Sequence, residues 1–369
     1  MFRYNYLRDL IERLVEANDY PLQVELHPGA HCGPFRCQYC YGKEQVLSNG
    51  SLTLDEYKLL LDDLLASARV LPFIEMSGIA SDPLTYPEIT ELVRLIKEKG
   101  FHFGIHTKGH FLNKELMELL NKEPTAGNFI TISIDSASPE VYNRLHGISS
   151  AKSEVYDSTK EKVSILYSQK LMKDSRLQIN LTYLLFRINS KEADIEKFIK
   201  TYQKSADILR FSVPQVPNIA NSIDFLSENE VTQIFQKLER RENDKVQILN
   251  FRESSRNQNF EICWAQRFNA TIDKAGNVFP CPQVALKNYM DLSWGNIKKQ
   301  RFWDIWDSEK RNRMMSASVE DMKCRVCDRK DETINLELNK LMNKDRFILN
   351  KKTRRAREKD PRGNKHTAF

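Results

Sequence analysis

The sequence lacks a long hydrophobic run, and its number of cysteines is odd. Its purely apolar stretches are only a few residues long, whereas a membrane-spanning helix needs ~20 residues. The N-terminal segment contains acidic side chains and no extended apolar stretch, which excludes a secretory signal peptide. Seven cysteines in 369 residues are too few, and odd in number, for a secreted disulfide scaffold. We therefore expect a protein of the reducing cytoplasm, where clustered cysteines more often bind metal.

A net positive charge is found only at the C-terminus. The net charge is +6, but residues 339–369 alone carry eleven Lys and Arg against three Asp and Glu, so the rest of the chain carries −2. This segment predicts a solvated tail, with an arm for RNA, an acidic partner or a membrane surface as the alternative. Aromatic residues are nearly absent among its charges, which disfavours nucleic-acid binding by base stacking.

Strand-like and helix-like segments alternate from about residue 20. This order predicts a parallel sheet joined by right-handed crossovers. Six units are too few for a closed eight-stranded barrel, so an open partial barrel and a doubly wound sheet both fit. The predicted strands are Leu22–Leu26, Phe73–Ser77, Phe101–His106, Phe129–Ile134, Leu177–Leu185 and Ile208–Pro214.

The pattern changes after the sixth strand. A helix and a possible strand, VQILNF, are followed by a predicted β-hairpin that turns at Asp273 to Gly276. We therefore divide the chain into an N-terminal helix (1–19), a barrel (20–222), a bridging helix and strand (223–252), a small α+β region (253–335) and the basic tail (336–369).

The first cysteine group is Cys32, Cys37 and Cys40, just after the first predicted strand. Three thiolates cannot close a tetrahedral zinc site without a fourth ligand, which the adjacent His31 could supply. The alternative is a [4Fe–4S] cluster in which one iron keeps an open position. Polar or glycine-rich loops also follow the next three strands, so ligands are expected at this rim.

The segment CGPFRCQYCYG resembles the cluster loop of radical S-adenosylmethionine (radical SAM) enzymes, with one extra residue between the first two cysteines. The segments SGIASDPLTYPEI, HTKGHFL and ISIDSASPEVYNRLHG resemble the family's later strand-end loops. The resemblance implies a partial (β/α)6 TIM-like barrel that binds SAM. By this likeness Gly78 and Asp82 lie near the SAM amino group, Ser133 near the ribose and Arg144 near the carboxylate. Tyr39, the aromatic residue before the third cysteine, is a further expected cofactor contact.

The second cysteine group is Cys263, Cys281, Cys324 and Cys327. Its sequence context is similar to the SPASM and twitch domains that follow the barrel of radical SAM enzymes. Four cysteines fit the twitch form, which holds one fully ligated auxiliary [4Fe–4S] cluster. Zinc is the alternative, although only the last pair has a zinc-knuckle spacing.

The resemblance implies reductive cleavage of SAM to a 5′-deoxyadenosyl radical that abstracts a hydrogen atom from substrate, with a flavodoxin- or ferredoxin-type electron donor. If all seven cysteines are ligands, no thiol remains to quench the substrate radical, which favours net two-electron oxidation over epimerisation. The leading substrate is a sugar- or cyclitol-like small molecule. A ribosomal-peptide maturase is the alternative, although the segment before the first strand is too short for a leader-binding domain. An RNA-modifying enzyme and a zinc-binding nucleic-acid module rank lower. The catalytic base cannot be chosen from the sequence.

Overall fold

The computed structural model describes residues 20–339, except 41, 43–45, 67–70, 150–153, 215–224, 241–245, 250–259, 323–326, 328–330 and 337. The predicted N-terminal helix, Cys324 and the tail beyond residue 339 lie outside the described residues. None of the described helices combines the length and the apolar character needed to cross a membrane.

Ten strands within the described residues form one sheet. From β1 to β7 the strands pair in chain order and are all parallel. The order across the sheet is β10-β9-β8-β1-β2-β3-β4-β5-β6-β7. The strands are β1 (Gln23–Leu26), β2 (Phe73–Met76), β3 (Phe103–Thr107), β4 (Phe129–Ser133), β5 (Gln178–Leu184), β6 (Ile208–Ser212), β7 (Val246–Leu249), β8 (Asn269–Ile272), β9 (Asn277–Phe279) and β10 (Gly295–Asn296).

Helices connect the parallel strands, and local sequence sets their ends. The second helix stops before Gly100 and the fourth before Gly147, and both glycines have the positive φ that suits a helix C-terminus. The helices are α1 (Leu54–Ala66), α2 (Ile89–Glu98), α3 (Lys114–Leu120), α4 (Pro139–His146), α5 (Val155–Met172), α6 (Glu192–Tyr202), α7 (Glu228–Glu239), α8 (Phe302–Trp306) and α9 (Glu309–Met314). Short 3-10 turns occur at Pro83–Thr85, Arg187–Asn189, Ala265–Arg267, Pro282–Val284 and Lys287–Leu292, and residues 331–336 are also helical.

Side chains alternate between the two faces of the sheet, because successive residues of a strand point to opposite sides. The face packed against the helices is apolar and buried; it includes Val24, Ile74, Ile105, Ile132, Leu181 and Phe211. The opposite face is polar; it includes Glu25, Glu75, His106, Thr131, Asn180 and Arg210. A parallel sheet is usually apolar on both faces. The polar inner face therefore indicates an interior built to receive a ligand.

The predicted hairpin is present, and it extends the barrel sheet. Its first strand, β8, pairs in parallel with β1, and β9 returns antiparallel. Inside the turn the Asp273 carboxylate accepts hydrogen bonds from the backbone N–H groups of Ala275 and Asn277, both at 2.9 Å. The C-terminal region thus adds strands to the barrel rather than forming a sheet of its own.

A second contact joins the C-terminal region to the barrel helices. The Asp63 carboxylate on α1 accepts the N–H of Phe302 at 2.6 Å and Arg301 Nε at 2.7 Å, and its backbone carbonyl accepts Trp303 Nε1 at 2.6 Å. Since Asp63 meets three consecutive residues at the start of α8, it fixes that helix against the barrel.

The predicted partial barrel is confirmed, with a small C-terminal region that follows it. All six predicted strands are observed with ends within two residues of the expected ones, and β7 corresponds to the possible strand VQILNF. The doubly wound alternative is not retained. The division of the chain into domains at residues 222, 252 and 335 stays a prediction.

Candidate functional site

The first cysteine group lies on the loop that follows β1, where the loops of neighbouring elements hold it. The backbone N–H of Asp82, after β2, donates to the carbonyl of His31 at 2.9 Å. The N–H of Arg36 donates to the carbonyl of His146, at the end of α4, at 2.8 Å. The loop is therefore fixed from two sides of the rim, as expected for residues that must hold a cofactor.

Phe35 occupies the longer gap between the first two cysteines. Its ring is buried and makes edge contacts with His110 and His146, with centroid distances of 5.9 and 5.8 Å. Gly33 turns the chain before it with φ +63°, a conformation open to glycine. Phe35 thus anchors the segment between Cys32 and Cys37 in the buried interior.

In the first cysteine group the Cys37 thiol is buried, whereas Cys32 and Cys40 are half-buried. Burial, reinforced by the charges of Asp82 and the two other thiols, raises the pKa of Cys32 to about 12. Burial also raises the pKa of Cys37, against the opposing charge of Lys108. A thiol with a raised pKa is a weak nucleophile at neutral pH, whereas a bound metal deprotonates it outright. Cys32 and Cys37 are therefore suited to a metal centre rather than to free thiol chemistry.

A hydrogen-bonded network of buried side chains lies beside the cysteine loop. The Tyr39 hydroxyl donates to Asp135 Oδ2 at 2.7 Å, and Lys108 Nζ donates to the Tyr39 oxygen at 2.6 Å. His146 Nε2 lies 3.0 Å from the same carboxylate. The network connects the end of β3, the end of β4 and the cysteine loop.

The charges within this network follow from burial and pairing. Burial, with the charge of Lys108, lowers the pKa of His146 to about 4, so the ring is neutral. Burial would raise the pKa of the Asp135 carboxyl, but the His146 hydrogen bond and Lys108 lower it. Burial would lower the pKa of Lys108, but Cys37 and Asp135 raise it. The rim therefore holds a fixed cation next to the thiols, balanced by a carboxylate.

The Asp82 carboxylate, an expected SAM contact, is engaged within the protein. It is buried and accepts the Thr107 hydroxyl at 2.9 and 2.8 Å, the N–H of Lys108 at 2.7 Å and the N–H of Leu84 at 2.9 Å. These bonds tie the loop after β2 to the loop after β3. A direct role at the SAM amino group stays a prediction.

The other expected SAM contacts lie around the same rim. Gly78 follows β2, and a Cβ there would lie 2.4 Å from the Ser81 carbonyl oxygen, so the loop admits only glycine. Ser133 ends β4 on the inner face, whereas Arg144 is exposed on α4. The ring of Tyr39 packs on Phe186 at 4.9 Å. The roles of Gly78, Ser133, Arg144 and Tyr39 toward SAM stay predictions.

Two cysteines of the second group meet at one side chain, Asn335. Its Nδ2 lies 3.6 Å from Cys263 Sγ and 3.9 Å from Cys327 Sγ. Its Oδ1 accepts the N–H groups of Trp264 at 2.6 Å and Ala265 at 2.8 Å. Cys281 follows β9 and is half-buried, and Cys324 lies outside the described residues. Their part in one cluster with Cys263 and Cys327 stays a prediction.

Both cysteine groups fit iron–sulfur clusters by their donor chemistry. Thiolates are the ligands of [4Fe–4S] clusters, and each binds a different iron atom, so the thiols need not converge on one point. No three His, Cys, Asp or Glu side chains in the described part of the chain surround a single metal position. His31, the candidate fourth zinc ligand, accepts the N–H of Gly33 through Nδ1 at 2.9 Å.

The inner face carries a carboxylate–imidazole pair that the sequence patterns did not predict. Glu75 Oε1 on β2 and His106 Nε2 on β3 lie 2.9 Å apart, and their side chains keep 17% and 36% exposure. Burial lowers the pKa of Arg210 on β6 against the opposing charge of Glu75. Polar residues at every second position of predicted strands, as in FIEMS and FGIHT, were the signal that could have found these residues.

A second pair on the same face is closed to ligands. His27 Nε2 and Glu25 Oε1 lie 3.0 Å apart with side-chain exposures of only 5% and 9%, and Ser77 also donates to Glu25. Because His27 and Ser77 cover Glu25, the Glu75–His106 pair is more accessible than the Glu25–His27 pair.

Aromatic rings close the interior on the N-terminal side of the strands. Phe73 and Phe129 stack with a centroid distance of 5.6 Å and an interplanar angle of 12°. Gly104 makes room for them, because a Cβ there would lie 2.2 Å from the Phe129 ring. His106 packs edge-on against Phe129 at 5.4 Å. The Glu75–His106 pair therefore lies between these aromatic rings and the rim that carries the cysteines.

Two family models match the chain. The model of the radical SAM superfamily matches residues 30–162, and that of the SPASM iron–sulfur cluster-binding domain matches residues 263–328. The chain is 24% identical to the AdoMet-dependent heme synthase of Methanosarcina barkeri, over 80% of this chain and 85% of the relative. It is 23% identical to the tungsten-containing aldehyde ferredoxin oxidoreductase cofactor-modifying protein of Pyrococcus furiosus (74% and 78%) and to the PqqA peptide cyclase of Granulibacter bethesdensis (82% and 78%).

Solved structures share the fold. Native anSMEcpe with bound AdoMet superposes with a TM-score of 0.60 at 16% identity, covering 92% of this chain and 100% of that chain. SuiB of Streptococcus suis bound to the precursor peptide SuiA superposes with a TM-score of 0.58 at 15% identity, covering 86% and 73%.

The contact between Gly147 and the cysteine loop generates a testable prediction. A Cβ at Gly147 would lie 2.1 Å from the Arg36 carbonyl oxygen, so Gly147→Ala should displace the loop. We expect the Gly147→Ala protein to bind less iron because the cluster at the displaced loop is lost. Iron analysis after anaerobic reconstitution should approach about four atoms per chain, the content of a single [4Fe–4S] cluster.

Gly100→Ala is the matched control. Gly100 also ends a helix with positive φ, +78° against +61° at Gly147, but a Cβ there would meet no atom within 4 Å. Both variants carry the same type of backbone strain, and only Gly147→Ala should lower the iron content. Equal iron in the two variants would contradict the proposed support of the loop.

Proposed function

Since the chain belongs to the radical SAM superfamily and carries a C-terminal SPASM-type iron–sulfur domain, we propose that it catalyses the net two-electron oxidation of a polar substrate bound inside the barrel. Its cofactors are SAM and two [4Fe–4S] clusters. The observation that carries the proposal is the half-buried Glu75–His106 pair on the inner face, between the stacked Phe73 and Phe129 rings and the cysteine-bearing rim.

The cofactors and the chain divide the reaction between them. When bound, the cofactors supply reductive cleavage of SAM to methionine and a 5′-deoxyadenosyl radical, hydrogen-atom abstraction from substrate, and acceptance of one substrate electron by the auxiliary cluster. The substrate must also lose one proton. The loss of a hydrogen atom, an electron and a proton together amounts to a two-electron oxidation. The chain has to supply the proton acceptor and to exclude water.

The Glu75–His106 pair is the proposed proton acceptor. A carboxylate and an imidazole in contact share an incoming proton, and His is the side chain best suited to proton transfer near neutral pH. The pair faces the interior from the second and third strands, and the stacked rings of Phe73 and Phe129 close the space below it. A substrate between this floor and the rim would lie within reach of both.

The proposed cofactor ligands follow from the rim geometry. Cys32, Cys37 and Cys40 would hold the SAM-binding cluster, and Cys263, Cys281, Cys324 and Cys327 the auxiliary one. Gly78, Asp82, Ser133, Arg144 and Tyr39 would contact SAM, and the Asp82 carboxylate also holds the loops after β2 and β3 together. An electron donor of the flavodoxin or ferredoxin type would reduce the first cluster.

A small polar molecule such as a sugar or cyclitol is the leading substrate. Substrate hydroxyl groups would find partners in the Glu75–His106 pair and in the half-buried Arg210 on the same inner face. Two relatives are named for work on cofactors, a heme synthase and a cofactor-modifying protein. This agrees with a substrate that fits inside the barrel.

A peptide is the second candidate substrate. One relative is named as a peptide cyclase, and one fold neighbour was solved with a precursor peptide. The RNA-modifying alternative rests on the basic tail, which lies outside the described residues. The zinc-binding alternative is not retained, because both matching families are radical SAM and iron–sulfur families.

Replacing the cysteines separates the two cluster assignments. Changing Cys32, Cys37 and Cys40 to Ala should abolish reductive SAM cleavage, because no cluster with an open iron remains. Changing Cys281 and Cys327 to Ala should leave part of the cleavage, uncoupled from product. The measurement is 5′-deoxyadenosine formed with dithionite as reductant. Loss of cleavage in a folded Cys281/Cys327 variant would overturn the relay assignment.

The inner-face pair gives a prediction of its own. Glu75→Gln and His106→Asn should keep SAM cleavage but lower oxidised product per 5′-deoxyadenosine by about 10²-fold or more, as for loss of a general base. His102→Asn is the control, because His102 directly precedes β3, at the end of that strand opposite to His106. Unchanged coupling in both variants would show that the proton goes elsewhere.

Deuterium transfer decides between the two substrate classes. The holoenzyme is incubated with SAM and a deuterated cell extract that has been split into small-molecule and peptide fractions. We expect deuterated 5′-deoxyadenosine from the small-molecule fraction, and this activity should survive treatment of the fraction with protease. Transfer only from the peptide fraction, lost on protease treatment, would favour the maturase function instead.

A further inference from the structure

We propose that Asn335 raises the reduction potential of the auxiliary cluster by donating its two amide hydrogens to the thiolates of Cys263 and Cys327. The inference rests on the proposed function, which places a cluster at these thiols. It assigns to this chain a tuning residue outside the set of cysteine ligands.

The orientation of the Asn335 amide is fixed by its partners. The N–H groups of Trp264 and Ala265 can only donate, so the atom they meet at 2.6 and 2.8 Å must be the side-chain oxygen. The NH2 group then points to the two sulfur atoms, at 3.6 and 3.9 Å. The side-chain oxygen thus accepts two hydrogen bonds and both amide hydrogens are donated. Exchanging the oxygen and nitrogen positions would place the NH2 group against two N–H donors.

The surroundings of Asn335 keep this amide in place. The residue has 0% exposure, so water does not compete for its hydrogens. On either side of it in the chain, Ile334 and Leu338 pack in one apolar cluster with Ala265 and Phe268. The same helical segment therefore carries the donor and packs beside the backbone next to Cys263, which keeps the distance between amide and thiolate short.

The direction of the effect follows from charge. Reduction adds an electron to a cluster whose thiolates are already negative, and hydrogen bonds to the sulfurs favour the more negative state. A buried amide acts in a low-dielectric environment, where its dipole is weakly screened. Two N–H···S bonds from one residue should therefore make the auxiliary cluster a better acceptor for the electron that the substrate gives up.

The test measures the midpoint potentials of both clusters by redox titration monitored by electron paramagnetic resonance. Asn335→Asp keeps an acceptor for the two backbone N–H groups and replaces the donor with an oxygen. Asn335→Leu removes the donor without adding charge. Each should favour the oxidised auxiliary cluster at least tenfold, about 59 mV for a one-electron couple, and leave the SAM-binding cluster unchanged.

Asn339→Ala is the matched control. Asn339 lies one helical turn further on and donates to the carbonyls of Ile262 at 3.2 Å and Asn335 at 2.7 Å, so it supports the same segment without a bond to sulfur in the described structure. Its midpoint potentials should equal those of the unchanged protein. An auxiliary cluster that assembles in either Asn335 variant with an unshifted potential would overturn the proposal.

If the Asn335 variants fail to assemble the auxiliary cluster, the proposal can still be tested on the unchanged holoenzyme. Protein labelled with ¹⁵N only in asparagine side-chain amides should show a ¹⁵N coupling to the reduced auxiliary cluster in pulsed resonance spectra. Absence of this coupling would refute the N–H···S bonds. If the unchanged protein binds only the SAM-binding cluster, the auxiliary cluster itself is disproved, and this result is distinct from an unshifted potential.

Discussion

The alternation of side chains along seven parallel strands is the constraint on which the molecule depends. Because each strand sends successive residues to opposite faces, one face supplies the apolar core under the helices. The other face is free to carry Glu75, His106 and Arg210. Parallel pairing also brings every strand's C-terminal end to the same rim, so the cysteine loop and the loops that hold it meet without any long connection.

At that rim, the buried charged side chains are stabilised by polar partners rather than by contact with water. Lys108 lies among Tyr39, Asp135 and the thiols, and its ammonium offsets the negative groups around it. Asp82 is held by two backbone N–H groups and a hydroxyl. Such fully partnered buried groups are costly to rearrange, so the rim offers SAM and a cluster a preformed frame.

Sequence patterns predicted the strands, the hairpin and both cysteine groups, because periodicity and cysteine spacing are local properties. They did not predict the Glu75–His106 pair, since its members lie on different strands and meet only through sheet register. Asn335 was missed for a similar reason: Cys327 is eight residues away, but Cys263, Trp264 and Ala265 lie 70 to 72 residues away in the chain. The placement of Asp82 near the SAM amino group stays a prediction, and its hydrogen bonds to Thr107 and Lys108 could not be predicted locally because these residues follow another strand.

The pairing of β8 with β1 has a consequence for how the chain can be divided. β1 is hydrogen-bonded on one side to β2 and on the other to β8, a strand of the C-terminal region. A chain cut before residue 269 would leave β1, the strand that leads into the first cysteine loop, with a bare row of N–H and C=O groups. The C-terminal region therefore completes the backbone hydrogen bonding of the strand that positions the first cysteine loop.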